Sequence, residues 1–172
     1  MIKICEGKSK GSNPIILILP LQLSMQNDIY YRLKLLEGQY MTETKSKAGK
    51  WLNYKLDLVE PGYVEVSLEV KEDMTNPVGN LHGGMSAMIC DEICGLAFYS
   101  LGMETYYTTV NLMIDYLYSA PLGSRIKATG KVLRAGKRIS NTECYIYNEK
   151  GVILVHAKSN LVNTGNPVFE LT

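Results

Sequence analysis

The clearest pattern along this chain is an alternation of apolar and polar residues in two consecutive stretches, residues 52–58 and 64–71. Alternation with a period of two is typical of strands that bury one face. The dipeptide Pro61-Gly62 lies between the two stretches and favours a turn. We therefore predict an antiparallel pair of strands here, preceded by a loop over residues 46–50.

Four more strands are predicted towards the carboxyl end, over residues 105–118, 125–133, 139–147 and 152–162. Each gap between them contains a turn-forming glycine, namely Gly123, Gly136 or Gly151. The last ten residues are predicted to form a loose tail, since they combine Gly165, Asn166 and Pro167.

A long apolar stretch separates the first two strands from the other four. We predict a helix from Gly83 to Leu101, with Gly102 as its stop. This helix has no broad polar face, and a helix that is apolar almost all round is usually enclosed. The fold class predicted is α+β, with one long central helix wrapped by about six antiparallel strands.

The first 45 residues are predicted to be an N-terminal extension to a single domain over residues 46–172. Ile29, Leu33, Leu36 and Tyr40 recur at helical spacing and predict a short amphipathic helix, with Asn27 or Asp28 as its N-cap. Residues 1–24 show no period and are predicted to be an arm or an added edge segment. The apolar run 14–23 weakly resembles a signal peptide, but it contains Pro20 and lacks a small-residue cleavage site, and a start at Met25 would remove it.

Composition narrows the function classes. The net charge of +1 argues against a nucleic-acid-binding groove, which usually carries a basic excess. No apolar run reaches the roughly 18 residues of a membrane span. The cysteines form no C-x-x-C pair, so neither a metal site nor a disulfide framework is indicated, and a reduced cytoplasmic location is expected; they are Cys5, Cys90, Cys94 and Cys144.

Candidate chemistry is concentrated between Asn76 and Asp91. The first N–H groups of a helix lack intrahelical partners and carry partial positive charge, so the start at Gly83 is suited to an oxyanion. Asp91 and Glu92 either lie at a solvated helix edge or act in a site. Gly83 and Asp91 are about 12 Å apart along a helix. If both act on one carbon, they must come from different subunits, which predicts a homodimer with two composite sites.

These residues also carry a resemblance to a known family. The pattern Asn76, Gly79, His82-Gly83-Gly84 and Asp91 resembles the signature of hotdog-fold acyl-CoA thioesterases of the phenylacetate-degradation type. The match covers roughly residues 50 to 162 and continues through Tyr116, Ala120-Pro121, Gly123 and residues 132–137. It implies a homodimer or homotetramer that hydrolyses an acyl- or aryl-CoA thioester to a free acid and CoA, without a metal or cofactor.

The resemblance also implies a role for single residues. Asp91 would be the nucleophile or the general base, and the Gly83 N–H would be the oxyanion donor. Asn76 would orient the water or the thioester, Thr109 (or Thr108, if the register slips by one) would help to hold the water, and His82 would fix the loop. The residues expected to bind substrate or CoA are Gly84, Asn111, Tyr116, Arg134, Ala135, Gly136, Lys137, Arg138 and Ile139.

Two other functions stay open at this point. One is a hotdog hydratase or dehydratase, for which Glu92 is the only helix carboxylate available besides Asp91, and it points about 100° away from Asp91. The other is a non-catalytic acyl-CoA-binding protein of the same fold. The acyl preference is open as well, because five residues could line an aryl slot, an aliphatic tunnel or only the core: Met85, Met88, Met113, Tyr106 and Tyr107.

Overall fold

The protein folds as one antiparallel sheet crossed by a long helix. This computed structural model describes residues 29–42 and 44–168. Within them lie the helices α1 (Ile29–Leu35), α2 (Lys47–Leu52) and α3 (Gly83–Tyr99), a 3₁₀-helix (Glu72–Met74) and the strands β1 (Lys55–Glu60), β2 (Tyr63–Glu69), β3 (Thr105–Tyr116), β4 (Arg125–Arg134), β5 (Ile139–Asn148) and β6 (Ile153–Pro167).

The strands are ordered β1-β2-β4-β5-β6-β3, and every neighbouring pair is antiparallel. The predicted α+β arrangement of six strands and a long helix is thus confirmed. Strand β3 lies at one end of the sheet and pairs with β6. This edge position matters for the site below, because it carries Thr109 and Tyr116.

Helix α3 packs against the inner face of the sheet through Ile89, Ile93 and Ala97, all at most 1% exposed. The approach is close at Gly130 of β4, where an added Cβ would lie 2.5 Å from the carbonyl oxygen of Ile93. Only glycine leaves room for the helix backbone there. The helix is therefore held at a fixed depth on the sheet, which in turn fixes the face that carries Asp91.

The C-terminal end of α3 is fixed by hydrogen bonds to the β1–β2 turn. Its C-terminal Ser100 is fully buried; the hydroxyl lies 2.8 Å from the carbonyl oxygens of Glu60 and Ala97 and accepts the N–H of Gly62 at 2.8 Å. The helix ends at Tyr99, two residues before the predicted Leu101, because the next N–H groups bond three residues back, from Leu101 to the Phe98 carbonyl at 3.1 Å and from Gly102 to the Tyr99 carbonyl at 3.0 Å; the predicted stop Gly102 has a positive φ of 71°. The β1–β2 turn is thereby joined to the helix end.

Three predictions about local structure need correction or limits. The loop predicted over residues 46–50 is wrong, because Ser46 caps α2 by accepting the Gly49 N–H, and β1 begins only at Lys55. The prediction of a loose tail is wrong for residues 163–167, since β6 extends to Pro167 and that residue pairs with Thr105. Helix α1 is present and ends at Leu35, whereas the predicted arm and N-cap lie outside the described residues.

Candidate active site

The loop before α3 is organised by Asn76. Its Oδ1 accepts the N–H groups of Val78 and Asn80, each at 3.1 Å, and Gly79 takes a positive φ of 76° at the tip. The backbone then docks on its neighbours, because His82 N–H donates to the Met74 carbonyl at 2.9 Å. With Oδ1 engaged, the Nδ2 amide of Asn76 is the group that remains available to a ligand.

His82 is the N-cap of α3. Its Nδ1 accepts the Gly84 N–H at 2.9 Å, which requires an unprotonated Nδ1. That bond uses the N–H of Gly84, whereas no described residue accepts a hydrogen bond from the N–H of Gly83. The Gly83 N–H is thus a free donor at the positive end of the longest described helix.

Gly83, Tyr116 and Asn76 lie together. The Tyr116 hydroxyl donates to the Gly83 carbonyl at 3.2 Å, and all three residues line an open cleft of about 350 Å³. Leu117 and Ala120, which follow β3, line the same cleft. The cleft therefore brings together an oxyanion donor, an amide and an aromatic wall, but it does not contain Asp91.

Asp91 lies on an exposed part of α3, where the Thr109 hydroxyl donates to its Oδ1 at 2.7 Å. The residue that reaches Asp91 is thus Thr109 and not Thr108. A bulge between Thr109 and Asn111 interrupts the pairing of β3 with β6. Asp91 follows Gly83 by eight positions, or about 12 Å of helix, so one chain holds two separate half-sites.

Glu92 has a different environment from Asp91, although it follows it directly. Ser46 and Tyr54 donate to its two carboxylate oxygens at 2.7 and 3.3 Å. Burial raises the pKa of Glu92, whereas these two hydrogen bonds act in the opposite direction. A Cβ at Gly49 would lie 2.3 Å from the Glu92 Oε1. Glu92 therefore holds α2 against α3 and does not share the exposed edge with Asp91.

The β4–β5 hairpin carries the expected CoA-binding residues. The side chains of Arg134, Lys137 and Arg138 are exposed, as are Ala135 and Ile139, while Gly136 is half-buried. The Arg134 guanidinium donates to the Ile139 carbonyl at 3.3 Å. Three cations thus lie within five residues on one solvent-facing turn, an arrangement suited to phosphate groups.

Asn111 does not join either half-site. In β3, Leu112, Ile114 and Tyr116 face the helix, so Asn111 and Met113 face the outer side of the sheet. There the Asn160 amide donates to the Asn111 Oδ1 at 3.5 Å. Met113 is 65% exposed on this outer face, and Tyr107 is buried and bonded to the hairpin, so neither lines the cleft.

The remaining titratable groups give no metal site. Among residues 29–42 and 44–168, no cluster of three or more His, Cys, Asp or Glu side chains is arranged to hold a metal ion. Cys90, Cys94 and Cys144 are free and buried between helix and sheet. In the same described ranges, no helix is long and apolar enough to cross a membrane.

The chain is similar to known thioesterases. Residues 78–155 match the model of the thioesterase superfamily. Human acyl-coenzyme A thioesterase 13 is 30% identical over 125 residues, which cover 72% of this chain and 89% of the relative. A hypothetical thioesterase protein from Streptococcus pneumoniae, solved with coenzyme A, is 29% identical with a TM-score of 0.63, over 66% of this chain and 88% of its own.

The fold and the family match define a thioester hydrolase of the hotdog fold. Zebrafish thioesterase superfamily member 2 has the same fold, with a TM-score of 0.64 at 22% identity over 82% of this chain and 96% of its own. The chain belongs to the thioesterase superfamily. The narrower phenylacetate-degradation type stays a prediction.

Proposed function

We propose that this protein hydrolyses acyl-CoA thioesters to a free acid and CoA at a composite site that two copies of the chain form together. The observation that carries the proposal is the division of one motif into two half-sites. The Gly83 N–H is free at the start of α3, and Asp91, held by Thr109 at 2.7 Å, lies about 12 Å further along it.

The chemistry requires both half-sites at one carbon. The Gly83 N–H, with the helix dipole behind it, polarises the thioester carbonyl and stabilises the tetrahedral oxyanion. The Asp91 carboxylate takes a proton from water as the hydroxide attacks, or it attacks the carbonyl itself and water then cleaves the anhydride. The C–S bond breaks, the CoA sulfur receives a proton, and one water is consumed for each acid released.

The dimer that this chemistry needs is compatible with the sheet. Strand β3 is the last strand of the sheet, and within the described residues one of its edges has no partner strand. Unpaired edges favour addition of another strand. Antiparallel pairing of β3 with its copy would set the two α3 helices side by side in opposite directions, so that the Gly83 of one protomer meets the Asp91 of its partner. Two such dimers would form the proposed tetramer.

The CoA portion is assigned to the basic hairpin. Arg134, Lys137 and Arg138 offer charge-assisted hydrogen bonds to phosphates, and the Tyr116 and Asn76 side chains border the cleft where the thioester would lie. A hydratase role lacks support, because Glu92, the only carboxylate of α3 besides Asp91, accepts hydrogen bonds from Ser46 and Tyr54.

The test is a thiol-release assay across aryl-, short-, medium- and long-chain acyl-CoAs. Replacing Asp91 by Asn should lower kcat by roughly 10² to 10⁴, the range for loss of a positioned base or nucleophile. Asp115→Asn is the matched control, since this carboxylate is exposed on the outer face of β3, and it should leave kcat within about twofold. Equal turnover by wild type and Asp91→Asn would refute the assignment, and a non-catalytic acyl-CoA-binding protein would bind CoA but release no thiol.

A further inference from the structure

Tyr107 of β3 is buried, with 3% of its surface exposed, yet its hydroxyl is directed to the basic hairpin. It donates to the carbonyl oxygens of Gly136 and Lys137, at 3.1 and 3.2 Å. The ring is fixed from behind by Phe98 of α3, with ring centroids 4.4 Å apart. A buried side chain thus forms hydrogen bonds to the backbone of an exposed turn.

Asn163 of β6 completes this contact from the neighbouring strand. It is the register partner of Tyr107, and its amide donates both to the Tyr107 hydroxyl at 3.2 Å and to the Lys137 carbonyl at 3.1 Å. Its backbone N–H donates to the Arg138 carbonyl at 2.9 Å. Tyr107 and Asn163 therefore hold three consecutive carbonyl groups of the hairpin.

The hairpin is also closed on itself. The Gly136 N–H donates to the Ser140 hydroxyl at 3.1 Å, and a Cβ at Gly136 would lie 2.3 Å from the Ile139 carbonyl oxygen. Such a turn has little freedom to move, although its Lys137 and Arg138 side chains are exposed to solvent. Fixing a cationic turn in advance reduces the entropy lost when an anionic ligand binds to it.

We infer that Tyr107 and Asn163 are positioning residues for the phosphate-bearing end of CoA: they hold the hairpin so that its cations are set where the phosphates bind. The inference rests on the proposed function, because it takes the hairpin as the CoA-binding turn. It assigns no chemical step to either residue. The reacting thioester lies at the Gly83 and Asp91 half-sites, so the two residues should affect binding of the nucleotide end and not turnover.

The experiment compares two substrates with the same acyl group, acyl-CoA and S-acyl-pantetheine, the second of which lacks the nucleotide and its phosphates. For Tyr107→Phe, KM for acyl-CoA should rise roughly 3- to 10-fold, the effect of losing one or two modest hydrogen bonds, while kcat stays within about twofold. The KM for S-acyl-pantetheine should not change. Asn163→Ala removes the second donor and should give the same split, which keeps the test valid if one variant folds poorly.

Tyr99→Phe is the matched control, because the Tyr99 hydroxyl donates to the Tyr107 backbone carbonyl at 3.3 Å and not to the hairpin. It should leave both KM values unchanged. Equal rises in KM for both substrates, a lower kcat with unchanged KM, or no change in Tyr107→Phe would overturn the inference.

A calorimetric titration with free CoA separates this inference from the proposed function. If the wild type releases no thiol from any acyl-CoA but binds CoA, the proposed hydrolysis fails, and a Kd raised roughly 3- to 10-fold in Tyr107→Phe would still support the positioning role. If the wild type binds no CoA, the inference is overturned together with the CoA assignment of the hairpin.

Discussion

Gly83→Pro removes the proposed oxyanion donor and little else. Gly83 is the first residue of α3, where proline is favoured because the N–H there has no intrahelical partner. The preceding His82 has φ −65° and ψ 139°, the extended backbone that a residue before proline needs. Gly83 has no positive φ to lose. The substitution should therefore fold normally and lack a single N–H.

The expected loss of activity in Gly83→Pro follows from the proposed role of its N–H as an oxyanion donor. Removal of one oxyanion-hole donor costs about 10² to 10³ in kcat, or roughly 3 to 4 kcal/mol of transition-state stabilisation. Gly83→Ala is the matched control: it keeps the N–H, and its Cβ would lie 3.4 Å from the Tyr116 ring, an ordinary van der Waals distance. Both variants are compared by thiol release under saturating acyl-CoA. Equal activity in the proline and alanine variants would refute the role of the N–H.

Mixing two inactive variants tests whether the site is shared between chains. A hybrid dimer of Gly83→Pro and Asp91→Asn has one site with both substitutions and one site with neither. If equal amounts are refolded together and assort at random, half of the dimers are hybrids, and about one quarter of wild-type activity should return. Native mass spectrometry verifies the hybrids. Hybrid dimers without recovered activity would show that the two groups do not meet across the interface.

Two further predictions concern neighbours of Asp91. Thr109→Val keeps the shape of the side chain but removes its hydrogen bond to Asp91, so kcat in the thiol-release assay should fall roughly 10-fold or more. Thr108→Val is the control and should be near wild type. Equal effects of the two substitutions would contradict a role for the 2.7 Å hydrogen bond between Thr109 and Asp91. Because burial raises the pKa of Glu92 above its ordinary 4.5, the stability that it contributes is complete below that pH and is lost as the pH rises through the raised pKa. The unfolding free energy of wild type minus that of Glu92→Gln, from urea titrations, should therefore decrease from pH 4.5 towards neutrality; a pH-independent difference would contradict this.

The existence of the strands and of α3 can be predicted from the sequence, because two-residue alternation and an unbroken apolar run are properties of neighbouring residues. Helix α2 cannot be predicted from such local patterns. Its six residues include Gly49, which weakens any helical pattern, and the reason for that glycine lies in the distant Glu92, whose carboxylate fills the space a Cβ would need. The length of β6 was missed for a related reason, since its last residues, up to Pro167, are ordered by pairing with β3.

In the candidate site, too, local features can be predicted from the sequence, whereas contacts between distant residues cannot. Gly83 and Asp91 were recognisable from a short motif, because a helix start and a carboxylate are both local features. The choice of Thr109 over Thr108 depends on a β-bulge, and the partners of Glu92 are 46 and 38 residues away along the chain, so neither contact could be predicted from spacing. The sequence leaves Tyr107 as a candidate to line the acyl site, but the Tyr107–Asn163 register turns its hydroxyl to the hairpin.

The surface around Asp91 also bears on how the acyl group is selected. Met88 and Gly95 lie about one turn on either side of Asp91, and an added Cβ at Gly95 would meet no described atom within 4 Å. The helix surface at Asp91 and Gly95 is therefore open in one chain, whereas Met88 is partly buried against the core. In the proposed dimer a second copy would cover this surface, so the wall of the acyl pocket would include atoms of both protomers. Acyl preference would then be a property of the interface, and Gly95→Leu should narrow the range of acyl-chain lengths hydrolysed in the thiol-release assay; an unchanged range would contradict this.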